Sequence, residues 1–236
     1  MLHYLILFTF SVLLSLIFIL VTKKLFIKFK ILDKPEKYWH KRPPIPHSMG
    51  VIFVFVFFLI SFFLIPHNLK LYLIWLFGFL ITIVSFIDDF FFLSPKLRLL
   101  IQIIIWSIIW ISAIKIWYIS NIFGWVIDLD KIYLILFNYK IYIVSLLFTV
   151  LWYIFIFNSL NWTDWIVWNT AWLSIISFVI IFLLWVKLYF TDSYAWWLEN
   201  AKFIMSLSII LVWILIPFWY FNVREKFLMW DSWTMF

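Results

Sequence analysis

The sequence predicts an all-α integral membrane protein, a polytopic bundle of about seven transmembrane helices with its N-terminus outside. Three observations lead there. The 236 residues are 67% hydrophobic with a mean hydropathy of +1.12. Their apolar residues fall in runs of about 20, the length that spans a hydrocarbon core. The basic residues between those runs sort to alternate sides.

The first run, Met1–Val21, has no basic leader and no small-residue cleavage site, so it reads as a span and not as a removed signal peptide. Thr22–Gly50 is polar. It carries Lys23, Lys24, Lys28, Lys30, Lys34, Lys37, Lys41 and Arg42, with helix-stopping prolines at 35, 43, 44 and 46. Val51–Ile65 and Leu71–Ile87 follow as spans joined by a short turn, then Leu97–Tyr118. Ile119–Lys140 is a mixed loop with alternating apolar residues, a pattern that suits a small hairpin. Ile141–Phe157, Ile166–Val186 and Phe203–Phe221 complete seven spans. There is no internal repeat and no soluble domain, so residues 1–236 read as a single transmembrane domain.

Placing Thr22–Gly50 in the cytoplasm puts Asp88–Arg98, Asn158–Trp165 and Asn222–Phe236 there as well. That side then holds 12 of the 18 Lys and Arg residues, as the positive-inside rule requires. It also holds the acids that look like chemistry. The absence of cysteine excludes disulfides and thiolate metal sites. The net charge of +7 is that of a basic membrane face, and no nucleic-acid partner is expected.

Asp88 and Asp89 stand at the end of an apolar run. An acid within a bilayer costs about 2.5–3.5 kcal/mol on insertion scales and marks a functional candidate. Adjacent carboxylates repel unless a proton or cation lies between them. A hard divalent ion that also holds phosphates is the simplest such partner. The plain alternative is a solvated loop that happens to carry two acids.

Four stretches carry a resemblance to a known family: DKPEKYWHKRPPIPHSMG (Asp33–Gly50), SFIDDFFFLSPKLRLLIQ (Ser85–Gln102), FNSLNWTDW (Phe157–Trp165) and FLMWDSWTMF (Phe227–Phe236). All fall, in order, in the loops assigned to the cytoplasm or beside them. Together they resemble the polyprenyl-phosphate sugar-1-phosphate transferases, which include the undecaprenyl-phosphate GlcNAc-1-phosphate transferases and the phospho-MurNAc-pentapeptide translocases. The Pro-Pro-Ile-Pro stretch resembles the GlcNAc branch more closely.

The resemblance implies a Mg²⁺-dependent enzyme, with Mn²⁺ as an alternative ion. It would move a sugar-1-phosphate from a UDP-sugar to a polyprenyl phosphate and release UMP, at the cytoplasmic face of a bacterial plasma membrane. It implies Asp88, Asp89 and Asp231 as catalytic residues, with Asp231, Asp88 and Asp164 as metal ligands. Asn158, Asn161, Asp164, Lys96, Arg98, Arg42 and His40 would contact substrate. Members of the family continue for several further spans, so the resemblance also implies that 1–236 is a catalytic domain incomplete at its C-terminus, with an apolar face exposed on its last span; a homodimer is left open. Val51 and Val167 depart from the family pattern, standing where many members have a second glycine and some a second aspartate. Two readings from other classes also fit part of the sequence: an ion-coupled transporter using the acids along its path, and an inactive remnant.

The glycine and tryptophan counts conflict with everything else. The chain has 3 glycines and 18 tryptophans. Average glycine usage of about 7% would give roughly 16. The bias toward Lys, Ile, Phe and Asn indicates an AT-rich gene, which should be poor in the UGG codon. In the motif loops, Trp165, Trp168, Trp172, Trp230 and Trp233 stand where glycine would match the family, and Trp39, Trp125, Trp196 and Trp197 also read as small-residue positions. A UGA codon meant as glycine but rendered as tryptophan accounts for both counts. Trp152 and Trp162 remain ordinary tryptophan positions.

Overall fold

The computed structural model describes residues 2–33, 43–91, 93–112, 115–120, 123–136, 139–163, 169–191 and 195–228, with the side chains of 89, 90, 112, 161, 195 and 196 left out. Its helices are α1 (Leu2–Lys28), α2 (Gly50–Leu64), α3 (Leu69–Phe91), α4 (Pro95–Ser112), α5 (Ile143–Thr163), α6 (Asn169–Thr191) and α7 (Ala195–Val223). They correspond one to one with the seven runs. Five are long and apolar enough to cross a membrane; α2 is shorter, and α4 opens with Lys96 and Arg98.

The helix ends differ from the sequence expectation in ways that matter for the site. α1 runs past Lys23 and Lys24 to Lys28, because lysine favours helix and no proline intervenes. It stops where Lys30 turns to φ 59°, the left-handed conformation that commonly closes a helix. α3 continues through Asp88 and Asp89 to Phe91, so the paired acids lie in its last turn and not in a loop. Asn158 and Asn161 likewise belong to the last turns of α5 and not to the loop before α6. Pro95 sits at the first position of α4, where its missing N–H costs nothing. Ser94 precedes it: its carbonyl accepts from Arg98 N at 3.1 Å, and its hydroxyl lies 3.4 Å from Leu97 N.

The all-α expectation is incomplete. Between α4 and α5 lie two antiparallel hairpins, which overrun by one or two residues at each end the loop Ile119–Lys140 where alternation suggested one. Strands β1 (Tyr118–Ser120) and β2 (Val126–Asp128) pair with Ile119 opposite Ile127; β3 (Tyr133–Leu136) and β4 (Tyr139–Tyr142) pair with Leu134 opposite Ile141.

α7 is the centre of the bundle and packs most extensively on α6 and α1, then on α2. More than half of its apolar window is buried, 56%, against 22% or less in the other four long helices. The expected exposed apolar face on the last span is therefore not found; α6, at 6%, is the least buried of the five. In lipid, helices associate by close packing and not by escape from water, so small residues belong at their contacts. α1 buries Leu7, Ser11, Ser15 and Ile19 in one stripe at every fourth position. α7 supplies Ala201, Ser206 and Ser208, all nearly or fully buried. Toward the end that carries Asp88, Phe53 meets Phe218 edge to face at 4.3 Å, and Phe218 packs on Phe227 at 5.0 Å.

Candidate functional site

One end of the bundle gathers the ends of α3, α5 and α7, the start of α4 and the chain on either side of residues 34–42. Its centre is Asp88, a carboxylate only 4% exposed. The Oδ1 atom accepts the N–H of Leu93 at 2.8 Å. The Oδ2 atom accepts from the Arg98 guanidinium at 2.7 Å. Arg98 is itself buried, at 9%. Both contacts follow from the sequence locally: α3 ends just past the acid, Ser94-Pro95 starts α4 at once, and Arg98 is one turn into the new helix. Its side chain therefore returns to the end of α3. Charge-assisted hydrogen bonds of this kind are the strong ones.

A second brace begins one turn further along α4. Gln102 lies four residues after Arg98, hence on the same face. Its Oε1 accepts from Asn158 Nδ2 at 3.2 Å, and the same amide nitrogen donates to the Ile154 carbonyl at 2.8 Å. α4 thus ties α3 through Asp88 and α5 through Asn158. Gln102 was visible in the sequence as part of a motif but not as a site residue.

The third component joins the two ends of the chain. Asp33 is buried at 4%; its Oδ1 accepts the Ile45 N–H at 2.7 Å, and its own N–H donates to Ile45 O at 3.0 Å. Leu32 and Pro46 form a short antiparallel bridge. Pro46 O then accepts from Leu228 N at 2.8 Å, and Leu228 O lies 3.4 Å from Met49 N. Asn222, 1% exposed, donates from Nδ2 to Phe227 O at 3.2 Å. The segment entering the Asp231 motif is therefore laid against the end of the first polar loop. Asp33 and Asn222 serve this stitching. The sequence offered only a D-x-P triplet for the first and no signal for the second.

Among the sequence-predicted residues, Asp88, Arg98 and Asn158 are brought into this end, the first two in direct contact. Arg98, expected as a phosphate-holding cation, here binds Asp88. Lys96 is exposed on the first turn of α4. The backbones of Asp89 and Asn161 are placed on α3 and α5. His40, Arg42, Asp164 and Asp231 lie outside the described residues, and among the described residues no three His, Cys, Asp or Glu side chains gather as a metal site.

Below this end, a cavity of about 300 Å³ opens between α2, α3, α5, α6 and α7. Phe53, Phe86, Phe178 and Leu215 make it apolar, while Ser48, Thr82, Ser85 and Thr170 add hydroxyls. Ser85 stands three residues before Asp88 on α3, so the cavity reaches within a turn of the buried carboxylate.

No curated protein matches the chain. The sequence profile of glycosyl transferase family 4 matches residues 71–236. That stretch takes in the paired aspartates, Arg98, Gln102, Asn158 and the Asp231 segment, and it exceeds half of the chain. The protein belongs to glycosyl transferase family 4.

Proposed function

We propose that the protein transfers a sugar-1-phosphate, GlcNAc-1-phosphate in the first instance, from a UDP-sugar to a polyprenyl phosphate. In this reaction an oxygen of the lipid phosphate bonds to the sugar-bearing phosphorus. The bond from that phosphorus to the bridging oxygen breaks, and UMP leaves with the oxygen. The observation that carries the reading is the buried Asp88–Arg98 pair, one turn along α4 from the Gln102–Asn158 bond and one turn along α3 from an apolar cavity, within the stretch that matches the family.

Phosphoryl transfer depends on positioning and charge neutralisation more than on covalent help from the protein. A site that fixes one carboxylate with a guanidinium and a backbone N–H is built for positioning. Its donors are oxygens, and the chain has no cysteine, which suits Mg²⁺ over softer ions. Asp88, with Asp164 and Asp231, would hold the ion; when bound, it would neutralise pyrophosphate charge. Asn158, held by Gln102, would present its amide oxygen to the nucleotide or to metal-bound water. Lys96, exposed on the first turn of α4, would approach phosphate. Asp89, Asn161, His40 and Arg42 keep the roles the resemblance gives them. The cavity would take the first isoprene units of the lipid, with the phosphate toward Asp88. The catalytic end would then face the cytoplasm of a bacterial plasma membrane.

The test is UMP release by the purified product of the native gene, reconstituted with polyprenyl phosphate and a divalent cation. UDP-GlcNAc is compared with UDP-MurNAc-pentapeptide. Turnover of the first supports the reading, turnover of the second alone moves the protein to the peptidoglycan branch, and turnover of neither sinks the proposal.

Filling the cavity tests the lipid site separately. Ser85→Leu and Thr170→Leu put apolar bulk where the acceptor chain would lie. Each is expected to raise the KM for polyprenyl phosphate about tenfold, equivalent to about 1.4 kcal/mol of lost binding, and to leave the KM for the UDP-sugar unchanged. Equal rises in both would place the lipid elsewhere.

A further inference from the structure

We infer that the paired hairpins between α4 and α5 are an interfacial membrane anchor, seated in the headgroup zone of the leaflet opposite the Asp88 end. The partner is the lipid surface itself.

The observation is an excess of apolar exposure in a place where neither the bundle nor the sheets can relieve it. Phe123 is 80% exposed, Ile127 62%, Ile135 65% and Tyr139 78%. A strand that rests on a core alternates buried and exposed residues. All four residues of β3 are instead exposed, and so are all three of β2. A two-stranded hairpin by itself is marginal in water, and an apolar edge of this kind would pair with other chains. Something apolar must cover it.

Continuity with the spans identifies the cover. The hairpins are rooted on α5: the Ser145 hydroxyl donates to Ile116 O at 2.7 Å, Ile116 N donates to Thr149 Oγ1 at 3.1 Å, and both side chains are fully buried. Ile143 N donates to Ile132 O at 3.0 Å, so β4 runs straight into the first turn of α5. The strands therefore emerge at the level where a span leaves the bilayer. Their composition suits that level: Tyr118, Phe123, Tyr133, Tyr139 and Tyr142 supply the aromatic rings that concentrate at membrane interfaces. Asp128, Asp130 and Lys131 cluster at the turn joining the two hairpins, with Lys131 3.3 Å from Asp128, and form the water side. Acidic and basic residues balance along 116–142, so attraction to anionic lipid does not hold the hairpins down. This separates them from the lysine-rich end of α1.

The chain contains no cysteine, so single reporters need no background removal. Phe123→Cys, Ile135→Cys, Tyr139→Cys and Asp130→Cys are made in the full chain, labelled with an environment-sensitive dye and reconstituted in phosphatidylcholine vesicles. The first three are expected to be quenched several-fold more than Asp130→Cys by a nitroxide carried shallowly on the lipid, and several-fold less by aqueous iodide. Adding phosphatidylglycerol should change neither. Iodide quenching equal to that of Asp130→Cys would overturn the inference by showing the hairpins in water. Protection from both quenchers would overturn it in favour of a protein cover, including a second copy of this chain. Three reporter positions on three segments keep the result readable if one variant fails to reconstitute.

Discussion

Arg98→Met is expected to destabilise the folded protein by about 3–5 kcal/mol, the usual result of leaving one member of a buried ion pair behind. Asp88 is 4% exposed, and its Oδ2 would lose the guanidinium while Oδ1 kept the Leu93 N–H. Its desolvated charge would then have to be hydrated by opening the α3–α4 junction. Asp88→Leu alone should also cost several kcal/mol, since it takes the carboxylate away from a buried guanidinium. The combination Arg98→Met with Asp88→Leu is expected to recover most of the loss, because replacing both charges with apolar groups of similar volume is often neutral. Thermal unfolding in detergent of the four proteins gives the coupling directly. A coupling below about 0.5 kcal/mol, the scatter of independent sites, would show that the pair does not hold the junction. The same double variant separates folding from chemistry. It should be folded and inactive in UMP release; retained turnover would take Asp88 out of the reaction.

The number and order of helices were legible because each is a long apolar run, and bilayer thickness fixes run length in any sequence. Their ends were not. Hydropathy cannot place the end of α3, since two aspartates look like a loop to any scale of transfer energies. The structure instead keeps them helical by giving Asp88 a cation from the next helix. The same holds for Asn158, whose amide finds Gln102 and the Ile154 carbonyl within the bundle. Gln102 was the harder case: a glutamine in an apolar helix signals a polar partner, but only the packing of α4 on α5 says which. Asn222 and Asp33 were harder still: each braces its own segment, against Phe227 and Ile45, and what gives those segments a joint role is the backbone pairing of Leu228 with Pro46 and Met49 across almost two hundred residues. The central position of α7 was misjudged for a related reason. Its sequence is as apolar all round as that of α6, and in a lipid environment apolarity does not distinguish a helix facing lipid from one facing protein.

The coding DNA is expected to read UGA at Trp165, Trp168, Trp172, Trp230 and Trp233, and the native protein to carry glycine there. The described tryptophans divide in a way that bears on this. Trp75 donates from Nε1 to Ser61 Oγ at 2.9 Å, and Trp110, 2% exposed, donates to Ser145 Oγ at 3.1 Å. Indoles packed in the bundle with a satisfied N–H, Trp110 buried and Trp75 half-buried, are what genuine tryptophan looks like, and these two should be UGG. Trp106, stacked on Tyr153 at 4.4 Å, belongs with them. Trp219 behaves otherwise: its Nε1 is buried with no hydrogen-bond partner among the described residues. Its ring lies 5.4 Å from that of Trp172, across the α6–α7 contact, the most extensive in the bundle. Such a contact is where membrane helices place small residues. Ala171, 1% exposed, already does so beside Trp172. In the segments around Asp164 and Asp231, glycine would let backbone approach a phosphate that an indole would block. Protein made with tryptophan at the five positions is therefore expected to show no UMP release, and protein made with glycine at all five to show it. Peptides from the native host should carry the glycine mass at these sites and the tryptophan mass at Trp75 and Trp110. UGG codons at Trp165, Trp230 and Trp233 would end this reading, and the scarcity of glycine would then be a real property of the chain.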